Sequence, residues 1–130
     1  MEVLIIDSAK MIRSRINEML SELTYISYIQ EADNIQQALN FILDENWDLI
    51  ILDIRLPDGS GLDVLKYIKY SDDESVTVIM LIQEDFPQYR ERTLALGANY
   101  YLRKTDDISK IMDICHDIHR KKIKPELFEH

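Results

Sequence analysis

Two aspartates of this sequence each follow a short apolar run, and a lysine follows a third run. Asp7 follows VLII, Asp53 follows LIIL, and Lys104 comes shortly after YYL. If these runs are strands of one parallel sheet, the three side chains emerge at one edge. Two carboxylates about 5 Å apart there would repel by roughly 3 kcal/mol at an effective dielectric near 20. Such a pair favours a raised pKa or a bound cation, and Mg²⁺ accepts carboxylates together with waters and phosphate oxygens. Lys104 would add a positive charge suited to phosphoryl oxygens.

Five strand-sized apolar runs surround these positions. They lie near residues 3–6, 24–29, 49–52, 76–82 and 100–102. Continuous runs predict strands that are covered on both faces, whereas the second run alternates and predicts an edge strand. Segments with helical periodicity separate the runs, so the chain predicts a parallel sheet with right-handed crossovers and helices on both faces. Chemistry in such folds gathers at the carboxyl ends of the strands.

Details of the helices can also be predicted. Ser8 is the expected N-cap of the first helix. The fourth helix is expected to start near Pro87 and to end before Gly97, with Leu94 and Ala95 as its inner positions.

Length and composition limit the class of protein. A chain of 130 residues with one cysteine fits one domain without a disulfide framework, and we expect a domain over 1–120 followed by a C-terminal tail over 121–130. The formal net charge of −9 argues against direct nucleic-acid or membrane partners. The N-terminal apolar run has four residues and follows an acid, which fits neither a signal peptide nor a membrane span. A cytoplasmic location is expected.

Three segments of the sequence resemble the receiver domain of two-component response regulators. They are VLIIDS at 3–8, DLIILDIRLPDGSGLDVL at 48–65 and LGANYYLRK at 96–104, and the resemblance covers nearly the whole chain. The middle segment is the most specific, because a strand that ends in Asp and leads through Leu-Pro and a glycine-containing turn into a helix surrounds the phosphorylated aspartate of that family. The resemblance implies an α/β fold, a flavodoxin-like doubly wound sheet of five parallel strands in the order 2-1-3-4-5, with five helices.

The resemblance also implies roles for individual residues. Asp53 would be phosphorylated by a histidine kinase or a phosphotransfer protein, and Lys104 would act as the catalytic cation that contacts the phosphoryl group. Asp7, Asp53 and the backbone carbonyl of Arg55 would hold Mg²⁺. Ile82 and Tyr101 stand at the positions of the family's switch residues, and the signal would leave through the surface of the fourth and fifth strands. The chain would then be a switch and not an enzyme, with a homodimer as one assembly that the family allows.

Two departures from the family pattern keep a second function open. Ser8 stands where receivers usually have a second acid, so Mg²⁺ binding is expected to be weak. Ile82 stands where they usually have Thr or Ser, and isoleucine has no hydroxyl to donate to a phosphoryl oxygen. The alternative is a degenerate receiver that acts as a phosphorylation-independent interaction module. A small flavodoxin-like binder is less favoured, because the sequence has neither GxGxxG nor GxxxxGK[ST].

Overall fold

Five parallel strands form the central sheet of the computed structural model, which describes residues 1–71 and 73–123. The strands are β1 (Glu2–Ile6), β2 (Tyr28–Ala32), β3 (Leu49–Asp53), β4 (Thr77–Ile82) and β5 (Tyr100–Arg103). Their order in the sheet is β2-β1-β3-β4-β5. The predicted order 2-1-3-4-5 is confirmed, and β2 lies at an edge as its alternating sequence indicated.

Helices connect successive strands and cover both faces of the sheet. They are α1 (Lys10–Ser21), α2 (Ile35–Asp44), α3 (Gly61–Tyr70), α4 (Pro87–Ala95) and α5 (Lys110–Ile123). A short antiparallel hairpin, Arg55–Leu56 with Gly59–Ser60, joins β3 to α3. In the part of the chain that the structure describes, no helix is long and apolar enough to cross a membrane. Helix α5 continues through Ile123, and the rest of the expected tail, 124–130, lies outside the described residues.

Two hydrophobic clusters, one on each face of the sheet, hold the helices in place. Leu4 and Ile6 of β1 join the cluster under α2 and α3, whereas Val3 and Ile5 join the cluster under α1 and α5. Successive residues of a strand point to opposite faces, so a strand with helices on both sides must be apolar at every position. This requirement explains the continuous apolar runs of β1, β3 and β4. Cys115 is buried in the α1 and α5 cluster.

The second strand lies later in the chain than the sequence predicted. The expected range was 24–29, but β2 pairs with β1 from Tyr28 to Ala32. The amide of Ser27 donates to the carbonyl of Met1 at 2.9 Å, and the N-terminal ammonium of Met1 donates to the carbonyl of Tyr25 at 2.6 Å. These bonds hold residues 25–27 as the loop that leads into the strand. The alternating sequence of an edge strand does not by itself fix the register of the strand, so contacts of this kind decide which residues pair with β1.

Two predicted features of the helices are wrong. Leu94 is 52% exposed and Ala95 is exposed, whereas Thr93 is fully buried, because Tyr89 and Thr93 set the inner face of α4 at a spacing of four. The N-cap of α1 is Ala9 and not Ser8, with no side-chain cap bond. Asp7 Oδ1 accepts from the amide of Ala9 at 2.8 Å, which turns the chain after β1 and starts the helix one residue later.

Candidate functional site

Two buried carboxylates and a buried ammonium meet at the carboxyl edge of the sheet. Lys104 Nζ lies 2.8 Å from Asp7 Oδ2 and 2.9 Å from Asp53 Oδ2. The exposed fractions are 0% for Asp7, 4% for Asp53 and 6% for Lys104. Two negative charges and one positive charge therefore share a poorly hydrated site, which keeps a net charge of about −1 when all three groups are ionised.

The order of the strands brings these residues together. Ile6 pairs with Leu52 across β1 and β3, so Asp7 and Asp53 leave adjacent strands at the same level. Lys104 directly follows β5, and its amide donates to the carbonyl of Ile82 at 2.9 Å, which holds it beside the end of β4. The three residues are distant in the sequence and meet because parallel strands end at one edge.

Burial and charge act in opposite directions on the ionisation of this cluster. Burial raises the pKa of Asp53, the contact with Lys104 opposes this rise, and the charge of Asp7 adds to it. Burial alone would lower the pKa of Lys104, but its contacts with Asp7 and Asp53 outweigh that effect, and the pKa is raised. Lys104 therefore stays protonated at neutral pH and lowers the cost of keeping Asp53 ionised.

The donor set fits a hard divalent cation such as Mg²⁺. Asp7 Oδ2 is buried and has no hydrogen-bond partner among the described residues apart from its ion pair with Lys104. Asp7 and Asp53 supply two carboxylates, and no group of three or more potential ligand side chains exists in residues 1–71 and 73–123. A site with two carboxylates suits Mg²⁺, which usually keeps several waters and takes phosphate oxygens as further ligands.

A cleft of about 250 Å³ gives access to this cluster. Asp53 and Lys104 line its floor, and Ser8, Arg55 and Glu84 are exposed around it. The amide of Arg55 donates to Asp53 Oδ1 at 3.3 Å, which orients the carboxylate. The cleft therefore connects the Asp53 carboxylate to solvent, from which a small reactant could reach it.

The turn after Asp53 is built more tightly than the sequence suggested. A Cβ atom at Gly61 would overlap the backbone carbonyl oxygen of Asp53, and the amide of Gly61 donates to the carbonyl of Ile54 at 2.6 Å. The carboxylate of Asp58 accepts from the amides of Ile35 at 2.8 Å and Gln36 at 3.2 Å. Asp58 thus ties the turn to the first residues of α2. The turn sequence LPDGSG indicated a loop here, but nothing local indicated these contacts.

The two expected switch residues lie on one face of the sheet but differ in access to the cleft. Ile82 is 3% exposed and lines the cleft. Tyr101 is half-buried, and its buried hydroxyl has no hydrogen-bond partner in the described residues. The guanidinium of Arg90 lies 5.1 Å from the centre of the Tyr101 ring and pairs with Asp85 at 2.7 Å. Burial and the charge of Asp85 raise the pKa of Tyr101 to about 12.

Comparison with known proteins agrees with this arrangement. The family model for the response regulator receiver domain matches residues 3–116. Sporulation initiation phosphotransferase F of Bacillus subtilis is 31% identical over 112 residues, which cover 86% of this chain and 88% of that protein. Sensory transduction protein LytR of Staphylococcus haemolyticus is 39% identical over 69 residues, which cover 53% of this chain and 27% of that protein. A CheY-like receiver domain protein from Methanospirillum hungatei JF-1 matches with a TM-score of 0.82 at 21% identity, over 95% of this chain and 97% of the other.

The fold defines a class of protein, and the matches define its family. A five-stranded parallel sheet in this order, with helices on both faces, is the flavodoxin-like fold of CheY. The chain belongs to the receiver domains of two-component response regulators. Receiver domains of this kind interact with histidine kinases or phosphotransfer proteins, generally bind Mg²⁺ at the phosphorylation site and generally are not enzymes themselves. The chain spans 27% of the length of the LytR relative.

Proposed function

We propose that this receiver domain accepts a phosphoryl group on Asp53 from a histidine kinase or a phosphotransfer protein in the cytoplasm. The observation that carries the proposal is the position of Lys104 Nζ, at 2.8 Å from Asp7 and 2.9 Å from Asp53. A buried lysine between two carboxylates, at the floor of an open cleft, is an arrangement suited to a group that gains negative charge. A lysine that served stability alone would not need access to a cleft.

The chain's own residues position the reactants and balance charge during transfer. An oxygen of the Asp53 carboxylate attacks the phosphorus of a phosphohistidine, the P–N bond breaks, and its electron pair returns to the imidazole nitrogen, which takes up a proton. The amide of Arg55 orients the carboxylate, and the ammonium of Lys104 faces the phosphoryl oxygens of the product. Little further covalent chemistry is required of the protein, because phosphoryl transfer depends mainly on alignment and charge stabilisation.

Asp7, Asp53 and the backbone carbonyl of Arg55 are the groups that would hold Mg²⁺. The ion supplies positive charge that neutralises the phosphoryl oxygens during transfer. We expect its affinity to be low, because Ser8 adds no carboxylate beside Asp7 and Lys104 already offsets part of the negative charge. Two carboxylates also attract a cation less strongly than three.

The surface of β4 and β5 is the proposed output of the switch, with Ile82 and Tyr101 as its movable residues. The Ile82 side chain donates no hydrogen bond to a phosphoryl group, so phosphorylation is expected to bias this surface weakly. The raised pKa of Tyr101 keeps its hydroxyl protonated at neutral pH. A homodimer formed through this surface is one proposed readout.

Chemical phosphorylation tests the proposal directly. The protein is incubated with acetyl phosphate and Mg²⁺, and its intact mass is measured with time. We expect a gain of one phosphoryl group, which is lost in Asp53→Asn and retained in Asp63→Asn, an exposed aspartate of the first turn of α3 that serves as the control. Equal labelling of Asp53→Asn would refute the assignment. No labelling of the wild-type protein would instead favour the phosphorylation-independent interaction module.

A further inference from the structure

A second concave surface lies at the end of the sheet opposite to Asp53. It is a groove of about 360 Å³ between the C-terminal ends of α2 and α3. Trp47 and Val76 line it from the segments that precede β3 and β4, whereas Asp53 lies where β3 ends. The length of the sheet therefore separates this groove from the proposed phosphorylation site.

The groove carries large apolar side chains that the fold leaves uncovered. Tyr70 is 92% exposed, Leu43 is 67% exposed and Tyr67 is 45% exposed, and all three line the groove. Trp47 forms part of its wall and is stacked against Tyr28, with ring centres 5.8 Å apart. Single exposed apolar residues are ordinary on a protein surface, but three that line one groove favour an interaction site. Tyrosine and tryptophan are also the residues most enriched in the centres of interfaces.

The charged side chains that line the groove are acidic, and one nearby basic residue, Lys69, acts on Asp73. Within residues 1–71 and 73–123, the charged residues that line it are Glu45 and Asp73, and exposed Asp44 and Glu74 are their neighbours in the sequence. Hydrogen bonds from Ser75, with a smaller effect of the charge of Lys69, hold the pKa of Asp73 below its usual range, so this carboxylate is ionised at neutral pH. An apolar floor with an acidic border is complementary to a ligand that carries both apolar and basic side chains.

We propose that this groove, which we call the α2–α3 groove, docks a basic amphipathic helix of a partner protein. The groove lies between two helix ends, and we expect the partner helix to pack its apolar face against the apolar side chains of the groove. Arginine or lysine side chains of the partner would then face Glu45 and Asp73. A second copy of this chain fits poorly, because the chain carries a formal charge of −9. Two of the three basic residues in the last turn of α5 are also engaged internally, since Arg120 pairs with Asp117 and Lys122 pairs with Asp48. Docking here does not require a phosphoryl group on Asp53.

The single tryptophan of the chain provides the assay. Trp47 fluorescence is measured while the full chain is titrated with a synthetic helical peptide that has leucine on one face and arginine on the other. The matched peptide has glutamate in place of arginine. Chemical shifts of backbone amides, measured in the same titration, locate the bound peptide on the surface. Both titrations are repeated with Asp53→Asn.

We expect a saturable change in Trp47 fluorescence with the arginine peptide, and the same change in Asp53→Asn. We also expect changes in the chemical shifts of the backbone amides at residues 42–47, 67–71 and 73–76. Tyr67→Ser combined with Tyr70→Ser should weaken binding about tenfold or more, since truncated interface anchors have effects of that size. Glu45→Gln combined with Asp73→Asn should weaken it about fivefold at low salt and less at high salt. The control is Met11→Ser, which removes an apolar side chain on α1 that is 82% exposed and should leave binding unchanged.

Several outcomes would overturn the docking proposal without bearing on phosphorylation of Asp53. They are the absence of saturable binding, equal binding of the glutamate peptide, and wild-type affinity in the tyrosine variant. Amide shifts confined to other surfaces would equally exclude the α2–α3 groove. Sedimentation of the protein alone measures self-association. If the wild type associates and the tyrosine variant does not, the groove binds a second copy of this chain and the proposed partner is wrong.

Discussion

Removing the positive charge of Lys104 should destabilise the domain strongly and in a pH-dependent way. Lys104→Met keeps an unbranched side chain of similar length while it deletes the ammonium that lies within hydrogen-bonding distance of two carboxylates. The remaining site holds Asp7 and Asp53, which are 0% and 4% exposed, with no cation between them. Two effects then add, the loss of attraction to Lys104 and the unrelieved repulsion between the carboxylates.

The magnitude follows from the geometry of the cluster. Both carboxylate oxygens lie close to one nitrogen, so they are less than about 6 Å apart, and their repulsion is at least about 3 kcal/mol at an effective dielectric of 20. Deletion of one partner of a buried ion pair costs about 3 to 5 kcal/mol. We expect a loss near 3 kcal/mol, because the cleft lets water reach the site. With a urea dependence of about 1 to 3 kcal/mol per molar, the unfolding midpoint should fall by about 1 to 3 M.

The sign of the pH dependence is set by the groups involved. The pKa of Lys104 is raised in the folded protein. The stabilising effect of Lys104 is therefore complete at every pH below the pKa of an ordinary lysine, and it disappears as the pH rises through the raised pKa. The pKa of Asp53 is already raised by burial and by the charge of Asp7, so at low pH this carboxylate takes up a proton and the repulsion is removed. The difference in stability between Lys104→Met and the wild type should therefore be large at pH 7 and much smaller near pH 4.

Urea unfolding at both pH values, followed by the fluorescence of buried Trp47, checks this prediction. Lys66→Met is the matched control, because Lys66 is exposed on α3 and should have little effect at either pH. Lys104→Met combined with Asp53→Asn should recover part of the lost stability at pH 7. An equal loss of stability at pH 7 and pH 4 would show that packing, and not charge, makes Lys104 important, and the reasoning would be refuted.

Three further substitutions test the site and its surroundings. Ser8→Asp should tighten Mg²⁺ binding, measured by chemical-shift titration, because it adds a third carboxylate at the cleft; unchanged affinity would mean that residue 8 does not face the ion. Ile82→Thr should strengthen the conformational response to beryllofluoride, measured by the chemical shifts of Tyr101. One charge-assisted hydrogen bond would change the ratio of the active to the inactive conformation by about tenfold to hundredfold. A full response at Tyr101 in the wild-type protein, with no gain in Ile82→Thr, would show that another residue supplies that bond. Gly61→Ala should lower the free energy of unfolding by about 2 kcal/mol or more and slow labelling of Asp53, because its Cβ overlaps the Asp53 carbonyl; wild-type stability would show that the turn moves aside without cost.

The sequence alone determined the class of fold and the residues that meet at the edge of the sheet. Continuous apolar runs predicted buried parallel strands, because each residue of such a strand must face one helical layer or the other. Once the strands were placed in one parallel sheet, Asp7, Asp53 and Lys104 had to emerge at the same edge, and the family resemblance implied the strand order that makes them neighbours. These inferences depend on local periodicity and on a general rule about parallel strands, so they needed no knowledge of particular side-chain contacts.

Only the tertiary structure decided the contacts that span the elements. The bounds of β2 depend on pairing with β1, the inner face of α4 depends on how Tyr89 and Thr93 pack, and Ala9 replaces Ser8 as the N-cap because Asp7 accepts its amide. In the same way, the bond from Asp58 to α2 and the exposed aromatic residues of the α2–α3 groove join segments that are distant in the chain. Local patterns carry no information on which distant atoms come into contact, because packing selects among several helical phases and strand registers that the same residues allow.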